Sequence, residues 1–188
     1  YTLEEGNILK QANTQNPASP MLTVAVTGLN GINEEITAID FRPATGELYG
    51  VSSENNIYVI NSTTGKARAI SSTPLSSNIE GNAVALDFNP TVDRIRLVTN
   101  TGQNLRLHPE TGAIVATDGR INGADVNIEA VAYTNNFSGS TSTVLYDIDQ
   151  KTDKLYKQDP PNNGTLVEVG NLGVDITAAA GFDISSDG

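Results

Sequence analysis

The 188-residue chain has no cysteine and no tryptophan, one histidine and one methionine. Without cysteine there is no disulfide, no thiolate nucleophile and no zinc–thiolate centre, although the compartment stays open. The lone histidine, His108, sits just before a turn and lacks the partners that a triad or an imidazole metal site needs, so a surface turn residue is the favoured reading. No G-x-S-x-G elbow accompanies the serines. Basic residues are scarce: 11 Lys and Arg stand against 22 Asp and Glu, a net charge of −11. Such a field repels nucleic acid and anionic membranes. Long apolar runs are missing too, which leaves no helical membrane span and no signal peptide in the sequence as it stands. Tyr1 falls within an expected strand, which points to a trimmed N-terminus.

What the chain does have is internal repetition. Residues 37–71 lie over residues 84–118 at a spacing of 47 without a gap, placing Asp40-Phe41 on Asp87-Phe88, Pro43 on Pro90 and Thr64-Gly65 on Thr111-Gly112. A third copy begins at Ile128, with about five extra residues in the loop 134–143. The fourth is split: Ile176–Ser186 resembles the first strand of a repeat, and Tyr1–Gln11 overlays the second and third strands, Gly50–Ile60. The repeats are therefore about 36–81, 83–127, 128–175, and 176–188 joined with 1–35, within a single domain over 1–188. A period of this length marks a propeller or array, whose units cannot bury their apolar faces alone.

Each repeat reads as four short strands, in one copy Thr37–Phe41, Glu47–Ser52, Ile57–Asn61 and Lys66–Ser71. Pro-Ala-Thr-Gly, Glu-Asn-Asn and Ser-Thr-Thr-Gly separate them, turn chemistry in which Gly and Asn accept positive φ and Pro presets it. No sustained 3.6-residue stripe appears. The expected fold is all-β, a β-propeller-like ring of about four four-stranded blades, one of them completed by the terminal strands of the same or of a neighbouring molecule. Ile176, Ala178, Ala180, Phe182 and Ile184 belong to that closure strand. An unclosed blade edge invites a strand from elsewhere.

The stretches DFRPATGELYG, DFNPTVDRIRLVTNTGQNLRLHPETGAIVATDG, AYTNN, TVLYDID and QDPPNNGTLVEVGNLGVD cover most of the chain. They resemble a bacterial and archaeal family classed as a domain of unknown function, whose members are secreted or surface-attached. The resemblance implies propeller-like repeats and an extracellular or cell-surface location, and it carries over no catalytic residues. Family members continue past the GFDIS segment into a further blade, whereas this sequence ends at Gly188, so the expected ring is either smaller or closed by another subunit.

Among candidate sites, Asp147, Asp149 and Asp153 are the Ca²⁺ ligand candidates: the first two share a strand face and the third returns from the turn. The EF-hand glycine and glutamate are missing, which favours a solvated acidic turn. Asp40 and Asp87 recur, which points first to architecture, with side chains accepting backbone N–H groups near Pro43 and Pro90. Arg94, Arg96 and Arg106 form either a basic stripe or, preferably, cross-strand pairs with Asp87, Asp93 or Glu110. Asn61, Asn136 and Asn163 head N-glycosylation sequons in expected turns.

The inner strands, Thr37–Phe41, Val84–Phe88, Glu129–Tyr133 and Thr177–Phe182, offer mostly apolar side chains, a composition that packs a core better than it lines an active site. The expected function is therefore non-catalytic. It is an extracellular structural or interaction module, partnered by itself through strand exchange into filaments or by another surface protein, with no nucleic acid and no membrane insertion. The alternative is a propeller binding a sugar or small molecule, with Ca²⁺-dependent hydrolase or lyase activity. No cofactor other than Ca²⁺ is expected.

Overall fold

The computed structural model describes residues 1–82, 84–122, 127–177 and 181–186. Among these residues the structure is all-β, with one 3₁₀ turn at Pro161–Asn163. Four antiparallel sheets follow one another in chain order as the blades of a four-bladed propeller. The first blade contains β1 (Thr2–Glu4), β2 (Ile8–Gln11) and β3 (Leu22–Ala25). The second has β4 (Ile36–Phe41), β5 (Leu48–Ser52), β6 (Ile57–Ile60) and β7 (Ala67–Ala69). The third has β8 (Val84–Asn89), β9 (Arg94–Thr99), β10 (Asn104–Leu107) and β11 (Ile114–Thr117). The fourth has β12 (Ile128–Tyr133), β13 (Leu145–Asp149), β14 (Lys154–Gln158) and β15 (Leu166–Asn171).

The repeat is legible at the level of register. Asp40 pairs across with Tyr49, Asp87 with Arg96, and Ala132 with Tyr146, so one strand position carries Asp, Asp and Ala in successive blades. Turns repeat as well. Asn61 Oδ1 accepts the N–H groups of Thr63 and Thr64, and Gly65 at φ 72° closes the turn onto the Asn61 carbonyl. In the next copy His108 replaces Asn61: its Nδ1 accepts the Glu110 N–H at 3.2 Å, and Gly112 closes the turn. Gly46 and its equivalent Asp93 both have positive φ. The extra residues of the third copy form the 134–144 loop between β12 and β13, as expected.

Apolar side chains fill the contacts between successive blades. Leu9 and Val26 pack with Ile36, Leu48, Tyr58 and Ile60. Tyr49, Val51 and Ile57 meet Phe88, Leu97 and Leu105, with the Tyr49 and Phe88 rings edge to face at 5.0 Å. Val98 and Ile121 meet Ile128, Tyr133 and Leu145. These clusters join blades one to two, two to three and three to four. Among the described residues no such cluster joins the fourth blade to the first.

The first blade is described in part. Among the described residues its sheet has three strands, with β1 on the edge where β4, β8 and β12 stand in the other blades. Of the expected closure strand, Ala178 and Ala180 lie outside the described residues. Ile176, Phe182 and Ile184 are half-buried and belong to no strand. A Cβ at Gly181 would meet nothing within 4 Å. Residues 181–183 line the same central cavity as Tyr1, Thr2 and Leu3.

Candidate functional site at the propeller axis

The innermost strands surround a cavity of about 470 Å³. Apolar side chains such as Ile39, Leu86 and Val131 line much of it, as their strand composition implies. The surprise is acidic: Asp40, Glu129 and Asp183 also face it. Asp40 and Asp183 meet Asp87 from the neighbouring blade, and one carboxylate oxygen from each of the three lies within 4.8 Å of the others. Asp40 and Asp87 are buried, whereas Asp183 is exposed.

Asp40 does accept backbone N–H groups, as its recurrence suggested, but not from the turn at Pro43. Its Oδ1 takes the adjacent Phe41 N–H at 2.7 Å, and its Oδ2 takes that of Phe88 on the next blade at 2.9 Å. The innermost strand β4 is thereby tied to β8. Burial pushes the Asp40 carboxyl up to about 8 against the pull of those N–H groups, with the Asp183 charge adding to the rise. Burial followed by the charges of Asp40 and Asp183 pushes Asp87 well above its ordinary value, and the N–H groups of Tyr133 and Phe88 only partly offset this. Asp87 Oδ1 is completely buried and has no hydrogen-bond partner. Glu129 is also raised by burial, opposed by a hydrogen bond from Asn127.

The sequence-derived trio Asp147, Asp149 and Asp153 does not converge. Asp149 Oδ1 accepts the N–H groups of Asn127 and Lys151, and its Oδ2 accepts the Thr152 hydroxyl, so it organises the β13–β14 turn. Asp153 Oδ1 accepts the Ile176 N–H at 2.8 Å. Asp147 faces the contact between blades three and four, fully buried, and neither oxygen has a partner. Burial raises it to about 8, with the Arg96 charge pulling the other way.

The three arginines form no stripe, and the expected counterions are corrected. Arg96, 2% exposed, reaches Asp118 at 2.7 Å, Asn104 at 2.7 Å, Asn162 at 2.8 Å and the Tyr133 hydroxyl at 3.2 Å. Arg106 forks onto both oxygens of Asp118 at 2.7 and 2.9 Å. Arg94 donates to the carbonyls of Val92 and Asp93. Asp93 and Glu110 are claimed instead by Arg42 of the second blade, which bonds both Asp93 oxygens and Glu110. Asp118 was invisible to a cross-strand argument because it follows β11, two strands away from β9. Of the sequon residues, Asn61 and Asn163 are exposed, while Asn136 is half-buried with its Oδ1 covered and unpartnered.

A family model, Domain of unknown function (DUF4394), matches residues 8–188. The chain belongs to that family. No curated protein matches it. Among solved structures, this DUF4394 chain resembles the computationally designed Ika4 protein at 17% identity, with 76% of each chain covered and a TM-score of 0.42.

Proposed function

We propose that this chain is a non-catalytic propeller module that acts by contact, assembling with copies of itself through strand exchange at the cell surface or outside the cell. The supporting observation is the first blade. Among the described residues every other blade has a strand innermost of its second, whereas β1 has no ladder partner on that edge, and residues 181–183 line the same cavity as Tyr1, Thr2 and Leu3. A strand edge of this kind is completed by backbone hydrogen bonds to whatever extended segment arrives, and Ile176–Ser186 of a second copy has the repeat's own first-strand pattern. Head-to-tail exchange generates an open filament wherever the rotation does not close. The non-catalytic reading is supported by His108, whose Nδ1 is engaged by its own turn. Strong acidity and the exposed sequon residues Asn61 and Asn163 agree with an extracellular setting.

The deciding experiment is the size of the native material by light scattering, with negative-stain microscopy of the same sample. Filaments or large uniform assemblies that disappear when 176–186 is deleted are expected. A uniform monomer would overturn strand exchange. It would shift the reading to small-molecule or sugar binding in the central cavity, which the acidic lining also supports.

A further inference from the structure

We propose that Asp40, Asp87 and Asp183 form a divalent-cation site, selective for Ca²⁺ over Mg²⁺, that fastens the segment carrying Asp183 to the innermost strands of blades two and three. The donors come from β4, from β8 and from the segment after β15, three stretches that are far apart in sequence. Their oxygens converge within 4.8 Å. Oxygens gathered this closely suit a hard cation, and three carboxylates partly open to water suit Ca²⁺, which accepts irregular oxygen coordination, better than Mg²⁺, which demands near-octahedral geometry and gives up its waters reluctantly.

A cluster of acids alone would not establish a site; Asp87 supplies the independent observation. Its Oδ1 is shut off from solvent and has no partner, although its carboxylate points into the cluster. A buried polar atom without a partner carries its full desolvation penalty, so such atoms are rare unless something is bound there. The electrostatics agree: the charges acting on Asp87 are the like charges of Asp40 and Asp183. Packed together, these acids need either protons or a cation to be neutralised. Exposed Asp183 and the adjoining cavity give an ion a route in and leave room for water to complete its coordination. The three ligands meet within one chain here, and in an exchanged assembly the neighbouring copy's segment would bring the same aspartate, so the calcium test is independent of how the segment docks.

The test is calorimetric and thermal titration with CaCl₂ of the EDTA-stripped chain, at near-neutral pH and physiological ionic strength. One Ca²⁺ per chain is expected, with a saturable rise in melting temperature and a weaker response to Mg²⁺. D183N, which alters an exposed side chain, is expected to keep the far-UV spectrum and to lose roughly tenfold or more in affinity. D87N is expected to lose the calcium response and, in chelator, to melt no lower than the parent, because the amide removes one buried carboxyl from a cluster that chelator leaves without its cation. If D87N does not fold, D183N decides alone. The absence of a saturable calcium response would overturn the proposal. So would a many-site response undiminished in D183N, which would reflect general acidity, and an equal response to Mg²⁺ would overturn the selectivity.

Discussion

At the scale of single residues, the buried polar groups between blades three and four carry the most information. Asp147 has an ordinary value of 3.8 and a folded value of about 8. Between those values the folded chain holds a proton that the unfolded chain has released. Its contribution therefore falls as pH rises through that window, by at most about 1.4 kcal/mol per pH unit. Asp147→Asn should accordingly be more stable than the parent at about pH 8 and close to it near pH 4, as read from denaturant melts in EDTA. A parallel displacement at both pH values would show that Asp147 titrates normally. Acids with lowered values, such as Asp118 and Asp93, oppose this only at lower pH, where protonation removes their arginine contacts. Arg96 reaches Asn162 and the Tyr133 hydroxyl on the fourth blade while pairing with Asp118. Replacing it with methionine takes the donor from the buried Tyr133 and Asn104 side chains and should cost about 3 kcal/mol, the lower end for a broken buried pair because Arg106 still holds Asp118. An unchanged denaturation midpoint for R96M would contradict that assignment.

At the scale of elements, two glycines with nearly equal backbone angles separate turn strain from blade docking. Gly46 has φ 73° with open space around a notional Cβ, whereas at Gly65, φ 72°, the Cβ would sit 2.1 Å from the Ala25 carbonyl oxygen. The Gly65 carbonyl accepts the Thr27 N–H at 3.0 Å, in a parallel bridge from blade one to blade two. A matching bridge joins Asn122 to Thr165 beside Gly164. Gly46→Ala should cost about 1–2 kcal/mol for the left-handed conformation. Gly65→Ala should cost at least about 1–3 kcal/mol more, because the backbone must also move. Equal losses in the two denaturation midpoints would remove the docking role. The strands themselves were legible in the sequence: β4–β7 fall on the four expected segments with their ends trimmed. The meeting of Asp183 with Asp40 and Asp87 was not legible, because resemblance to a strand says nothing of which distant acids a segment reaches.

At the scale of the whole molecule, three apolar interfaces and the arginine networks join consecutive blades, Arg42 tying the second to the third and Arg96 the third to the fourth. Propeller blades depend on their neighbours for burial. Deleting 176–186 should therefore leave a folded but unassembled chain if the segment serves exchange between copies. Loss of the cooperative melt on deletion would instead place its role in closing its own ring. A circular dichroism melt run beside the light-scattering measurement separates the two.

The sequence by itself determined the all-β architecture, the number of copies and the placement of turns and insertion. These follow from local chemistry: strand periodicity, positive-φ glycines and asparagines, and a spacing of 47 that survives wherever each unit must pack on its neighbour in the same way. Only the tertiary structure decided which charges meet. Asp118 finds Arg96 and Arg106, Asp93 and Glu110 find Arg42, and Asp183 comes to Asp40 and Asp87, because the ring superposes stretches that lie far apart in the chain. Charge pairing across such distances leaves no local pattern; the recurrence of Asp40 and Asp87 was its one visible trace.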